Sequence, residues 1–115
     1  MKKEDREMLQ KFTEIIDANL SRSDLSIEEI AELLGLSVRN LYRKFKEMDQ
    51  HPPKDFIKDY RIQMAAKYLK STTMTTQEIM YRCGFNSRSH FYKEFDKRFH
   101  MTPKEYRTDT SQNSR

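Results

Sequence analysis

Arg39, Tyr42, Arg43 and Lys46 fall on one side of a helix if Leu41 and Phe45 take the other, and Ser89, His90 and Lys93 stand in the same relation to Phe91 and Phe95. Side chains of these types have a definite use on a polyanion with readable edges. The planar arginine fork donates two parallel hydrogen bonds to O6 and N7 of a guanine, which discriminates between base pairs by about 1–3 kcal/mol. A tyrosine adds a hydroxyl, or a ring that packs on a thymine methyl. Arg39 and Arg43 on an isolated helix would be ordinary solvated surface, so their weight depends on the elements that carry them.

Those elements come in duplicate. The segment SIEEIAELLGLSVRNLYRKF at 26–45 returns as TTQEIMYRCGFNSRSHFYKEF at 75–95. Glu29, Ile30 and Gly35 correspond to Glu78, Ile79 and Gly84. After one inserted residue, Asn86, the residues Ser37, Leu41, Tyr42 and Phe45 correspond to Ser87, Phe91, Tyr92 and Phe95, and the match runs on from Pro53–Phe56 to Pro103–Tyr106. Each copy carries start and stop signals for two helices. Ser26 with Glu29, and Thr75 with Glu78, read as capping boxes that satisfy first-turn N–H groups reciprocally. Gly35 and Gly84 end the first helix of each copy, where the reversal favours a residue without Cβ. Ser37 and Ser87 then cap a second helix, so the pattern is helix, tight turn, helix, twice.

Apolar spacing fixes the inward faces. Ile27, Ile30, Ala31, Leu34, Leu41 and Phe45 form the core of the first copy, and Ile79, Met80, Cys83, Phe91, Phe95 and Phe99 that of the second. Small Ala31 permits close helix approach, whereas the larger Met80 must bend its thioether aside or alter the crossing. Between the copies, 53–70 starts with a proline suited to a first helical turn, and Phe56, Ile57, Tyr60, Met64, Tyr68 and Leu69 make one stripe. A single helix of that length spans about 27 Å, comparable with the roughly 34 Å between successive major-groove faces of B-DNA. Leu9, Phe12, Ile16 and Leu20 place a further helix at about 5–20. The segment 108–115 lacks apolar residues and reads as a disordered tail.

Composition agrees with an all-α fold. Two glycines in 115 residues are too few for the turns of a sandwich or barrel, and a single cysteine excludes an internal disulfide or a thiolate-rich zinc site. No apolar run is long enough to span a bilayer. Residues 1–50 hold 9 Lys/Arg and 11 Asp/Glu, net −2, whereas 51–115 hold 13 and 7, net +6. A basic half favours a polyanionic partner.

Phosphate contacts set register without choosing sequence. The candidate donors are the backbone near Ile27 and Thr76, the Ser37 and Ser87 hydroxyls, Arg82 and Lys97, with Lys93 and Arg98 adding long-range attraction. His51, His90 and His100 have no metal-ligand spacing, so no metal or cofactor is expected. Cys83 reads as a small buried hydrophobe, Lys67 and Lys70 as solvated, and Glu28, Glu29 and Glu32 as an exposed face that provides solubility or meets a partner protein. No phosphate loop, HExxH or nucleophile elbow appears, so the chain is not read as an enzyme.

The doubled unit, the segment DYRIQMAAKYL and the closing string CGFNSRSHFYKEFDKRFHMTPKEYR resemble the AraC/XylS family of bacterial transcription regulators over about residues 8–107. The resemblance implies a two-lobed, seven-helix domain whose third and sixth helices enter the major groove. It sets Arg39, Tyr42 and Arg43 against bases, with Asn40 and Lys46 nearer the backbone. In the second reading helix it sets Arg88, Ser89, His90 and Lys93 against bases, with Lys97 further along. It makes Arg61 a member of a structural ion pair. Met80, where alanine is usual, departs from the family pattern.

The expected organisation is a helix-turn-helix subdomain at 1–52, a linker helix at 53–70, a second subdomain at 71–107 and the tail at 108–115. The expected function is sequence-specific binding of double-stranded DNA at an asymmetric operator, with RNA polymerase as a further partner and no membrane contact by this segment. The chain would act in the cytoplasm, on the bacterial nucleoid, as the output domain of a larger regulator with an upstream sensing or receiver domain. The alternative is a helical protein-interaction module that no longer binds DNA, and the two differ in salt-dependent association with duplexes.

Overall fold

A computed structural model describes residues 1–110; residues 111–115, most of the segment expected as a tail, lie outside the described residues. The described chain forms seven helices: α1 (Lys3–Ala18), α2 (Ile27–Leu33), α3 (Val38–Glu47), α4 (Pro53–Ser71), α5 (Thr76–Arg82), α6 (Arg88–Phe99) and α7 (Pro103–Thr108). No strand occurs among the described residues. The chain divides into two compact units, Met1–Ile57 and Lys58 onward, with the division inside α4.

In the first unit, the Ser26 hydroxyl accepts from the Glu29 amide at 3.1 Å and starts α2. The Glu29 carboxylate does not complete the expected box. It takes two bonds from the Arg22 guanidinium, at 2.6 and 2.8 Å, because a bidentate charged partner outcompetes one backbone N–H. Arg22 accordingly holds the Glu29 carboxyl below its ordinary range. Gly35 ends α2 at φ 71°. An added Cβ there would meet nothing within 4 Å, so the requirement is dihedral and not spatial. The Leu36 amide returns to the Ala31 carbonyl at 2.9 Å and closes the turn. Ser37 then accepts from Asn40 N at 3.1 Å and starts α3.

Packing fixes the phase of α3. Phe12 from α1, Phe45 from α3 and Phe56 from α4 meet edge to face, with centroids 4.8, 5.5 and 5.7 Å apart. Each such pair adds about 0.5–1.5 kcal/mol beyond its burial. Ile16, Ile30 and Leu41 are also fully buried around them.

The second unit repeats the scheme with different details. Thr75 and Glu78 form a complete capping box on α5, and Thr102 with Glu105 forms another on α7, where Pro103 occupies the first turn. Gly84 reverses the chain at φ 84°, the Phe85 amide bonds the Met80 carbonyl at 3.0 Å, and Ser87 caps α6. Ile62, Ala65, Ala66, Leu69, Ile79, Met80, Cys83, Phe85, Phe91 and Phe95 form the core. Tyr106 closes it edge to face on Phe95 at 5.5 Å.

Cations in this unit hold helix ends. Arg61 is buried and donates to the Cys83 carbonyl at 3.1 Å, at the C-terminus of α5. Arg107 donates to the carbonyls of Leu69 and Thr72 at 3.0 and 3.2 Å, at the end of α4. These carbonyls carry the negative end of a helix dipole, so a guanidinium there is favourable. Lys70, expected to be solvated, donates to the Asp109 carbonyl at 2.6 Å and lies over the Tyr106 ring. The expected single stripe of α4 is also revised. Its most buried apolar residues are Ile62, Ala65, Ala66 and Leu69, while Phe56, Ile57, Tyr60, Met64 and Tyr68 are half-buried. A helix that serves two units is apolar on more than one side.

Candidate nucleic-acid interface

The two helices that follow the glycine turns carry the donors singled out in the sequence. On α3, Leu41 and Phe45 have no exposed surface, and Arg39, Asn40, Tyr42, Arg43 and Lys46 are all exposed. Tyr42 keeps 38% of its surface in solvent. Arg43 lies along the helix: Nη1 is 3.1 Å from the Glu47 carboxylate and Nη2 is 3.4 Å from Asn40 Oδ1. Both partners of the ion pair are more than half exposed, so releasing it costs little. Ser37 is exposed and spends its oxygen as a cap acceptor, which leaves its O–H proton for another acceptor.

On α6, Phe91 and Phe95 have no exposed surface, and Arg88, Ser89, His90, Lys93 and Lys97 are exposed. His90 rests its ring edge-on against Phe85 at 5.5 Å, with Nε2 3.8 Å from the Glu94 carboxylate. Glu94 is buried and also lies 3.8 Å from Lys58 Nζ. The Arg88 guanidinium lies over the Tyr92 ring, 4.8 Å from its centroid. Ser87 is exposed and accepts from the His90 amide at 3.2 Å.

The remaining cations and expected phosphate donors are more mixed. Thr76 is half-buried in the first turn of α5, and Arg82 is exposed with its guanidinium 5.8 Å from the Tyr68 ring centroid. Arg98 is engaged by Asp59 at 3.0 Å. Glu94 did not stand out as a sequence signal and Tyr92 entered only as a repeat position, although each lies four residues from its partner, at the spacing by which side chains meet on a helix. Cys83 is fully buried, and burial pushes its thiol up to about 12. Among the described residues, no group of three His, Cys, Asp or Glu side chains is arranged to hold a metal ion, and no helix is long and apolar enough to cross a membrane.

Comparison with known proteins gives consistent matches. Residues 30–109 match the model of the helix-turn-helix domain family. The chain is 30% identical over 108 residues to histidine kinase P4 of Formosa agariphila, a match that covers 94% of this chain and 8% of the kinase. It is 33% identical over 88 residues to the xylose operon regulatory protein of Escherichia coli K12, covering 76% of this chain and 22% of that protein. Among solved structures, a transcriptional regulator with an AraC-type DNA-binding domain from Chromobacterium violaceum superposes with a TM-score of 0.82 at 30% identity, over 93% of this chain and 95% of the other. The chain thus spans less than a quarter of the length of either of these two curated relatives.

Proposed function

Because the chain belongs to the AraC-type helix-turn-helix family of DNA-binding domains of transcription regulators, we propose that it reads double-stranded DNA through α3 and α6. Arg39, Tyr42 and Arg43 on α3, and Arg88, Ser89, His90 and Lys93 on α6, contact base edges. Ser37, Asn40, Lys46, Thr76, Arg82, Ser87 and Lys97 contact phosphates.

One observation carries this reading. In each unit the helix after the glycine turn buries a pair of large apolar side chains completely and turns its hydrogen-bond donors outward. A buried pair four residues apart locks rotation of the helix about its axis, so the outward side chains are pre-oriented. The donors of the two helices differ in kind, with two arginines and a tyrosine on one and serine, histidine and lysine with Arg88 on the other. An asymmetric operator follows.

The chain is read as the output module of a larger regulator, which the short matched share of the kinase and the sugar-operon regulator supports. RNA polymerase is the proposed protein partner.

The test is a salt titration of binding to a short duplex. Phosphate neutralisation predicts that affinity falls linearly and steeply on logarithmic axes as salt rises. A flat response, or no association at low salt, removes the DNA reading and leaves a helical protein-interaction module.

A further inference from the structure

The two units use the same repeat position differently. Tyr42 and Tyr92 occupy equivalent places, but the residue four positions earlier is Val38 in the first unit and Arg88 in the second. Tyr42 stands exposed on α3. Tyr92 is half-buried, is backed edge-on by Phe91 at 5.9 Å, and carries the Arg88 guanidinium over its ring at 4.8 Å. Tyr92 and Arg88 also line a small pocket of about 150 Å³ together with Thr76, Gln77, Met80 and Asn86.

From this arrangement we infer that Tyr92 is a positioning residue, which holds Arg88 ready for base readout while its counterpart Tyr42 remains an outward contact. The inference rests on the reading of α6 as a base-contacting helix. A guanidinium is flat, and all five of its N–H bonds lie in its plane. A ring against its face therefore stabilises the cation without using a single donor. The fork edge stays available for guanine O6 and N7. An arginine that is free in solution loses rotamer entropy when it binds a base edge, whereas one already stacked on a fixed ring has lost part of it beforehand. Tyr92 is half-buried among Thr76, Gln77, Met80 and Asn86, so the ring that carries Arg88 is itself restrained by the packing of the unit.

The test measures base preference as a ratio of affinities: a preferred duplex against the same duplex changed at the base pair whose preference Arg88→Ala lowers most, without abolishing it. Tyr92→Leu should lower that ratio by about two- to fivefold and leave affinity for random duplex within twofold. Tyr92→Phe keeps the ring and should retain the ratio. In the Arg88→Ala background, Tyr92→Leu should change the ratio no further. Thermal unfolding of each variant checks that the second unit is intact, and Tyr92→Met repeats the comparison should leucine unfold it. The inference is overturned if Tyr92→Leu leaves the ratio unchanged, if Tyr92→Phe loses it, or if the loss persists without Arg88. It is also overturned if Arg88→Ala alters no base preference. A wild-type chain without salt-dependent duplex binding brings down the DNA reading itself, a result distinct from all of these.

Discussion

Replacing Arg43 by alanine should relax preference at one base pair and leave the fold intact. Its guanidinium is 3.1 Å from the Glu47 carboxylate, and both side chains are 57% exposed. An exposed pair at this helical spacing contributes about 0.3–0.5 kcal/mol, so stability should change by no more than about half a kcal/mol. A bidentate arginine–guanine contact discriminates by about 1–3 kcal/mol. Loosening the Glu47 pair offsets part of this, and the net is about 0.5–2.7 kcal/mol, or roughly two- to a hundredfold at one position. Fluorescence anisotropy titrations at fixed salt measure it, with a preferred duplex compared against single-base-pair variants for both proteins. Arg43→Lys should preserve affinity for random duplex while losing most of the preference, since an ammonium restores charge without the fork. An equal loss across all duplexes for Arg43→Ala would refute base readout by this residue.

Other perturbations probe different parts of the same account. Lys97→Ala should weaken binding to all sequences alike and reduce the magnitude of the logarithmic salt slope by about one; a sequence-selective loss would move Lys97 into the base-reading set. Phe45→Ala removes a ring with no exposed surface that faces Phe12 and Phe56, and should cost about 3–5 kcal/mol in denaturant unfolding. A cost below about 1 kcal/mol would mean that this ring does not anchor α3. Cys83, fully buried with its thiol pushed up to about 12, should resist thiol-directed reagents at neutral pH in the native protein and react on denaturation. Rapid native-state labelling would contradict the burial.

Much of the scaffold was legible because its signals are local. The glycines at 35 and 84, the serines at 37 and 87 and the apolar spacing around Phe45 and Phe95 each act within a turn or two, and the repeat checks one copy against the other. Signals that depend on choice between partners were not legible. Glu29 and Glu78 look alike in sequence, yet Glu29 turns to Arg22 while Glu78 completes its box. The left-handed residues Asp49 and His100, both at φ 58°, end α3 and α6 without glycine, so the sequence carried no marker of those stops. Lys70 was misjudged for a related reason: it donates to a backbone carbonyl far along the chain, and no residue type announces a carbonyl; the bond from Arg61 to the Cys83 carbonyl escaped notice in the same way. At the candidate interface, helical phase identified the exposed donors, but the contacts that restrain them, Glu47 on Arg43 and Tyr92 under Arg88, emerged only with side chains in place.

The central claim is that two unlike sets of side chains, on α3 and α6, choose sequence together. Enrichment of bound duplexes from a random pool, followed by footprinting, tests it most directly. The account predicts an asymmetric consensus with two unlike major-groove segments about 10 base pairs apart, one relaxed by Arg43→Ala and the other by Lys93→Ala. A pool that never enriches, or a consensus that neither substitution alters, would contradict it.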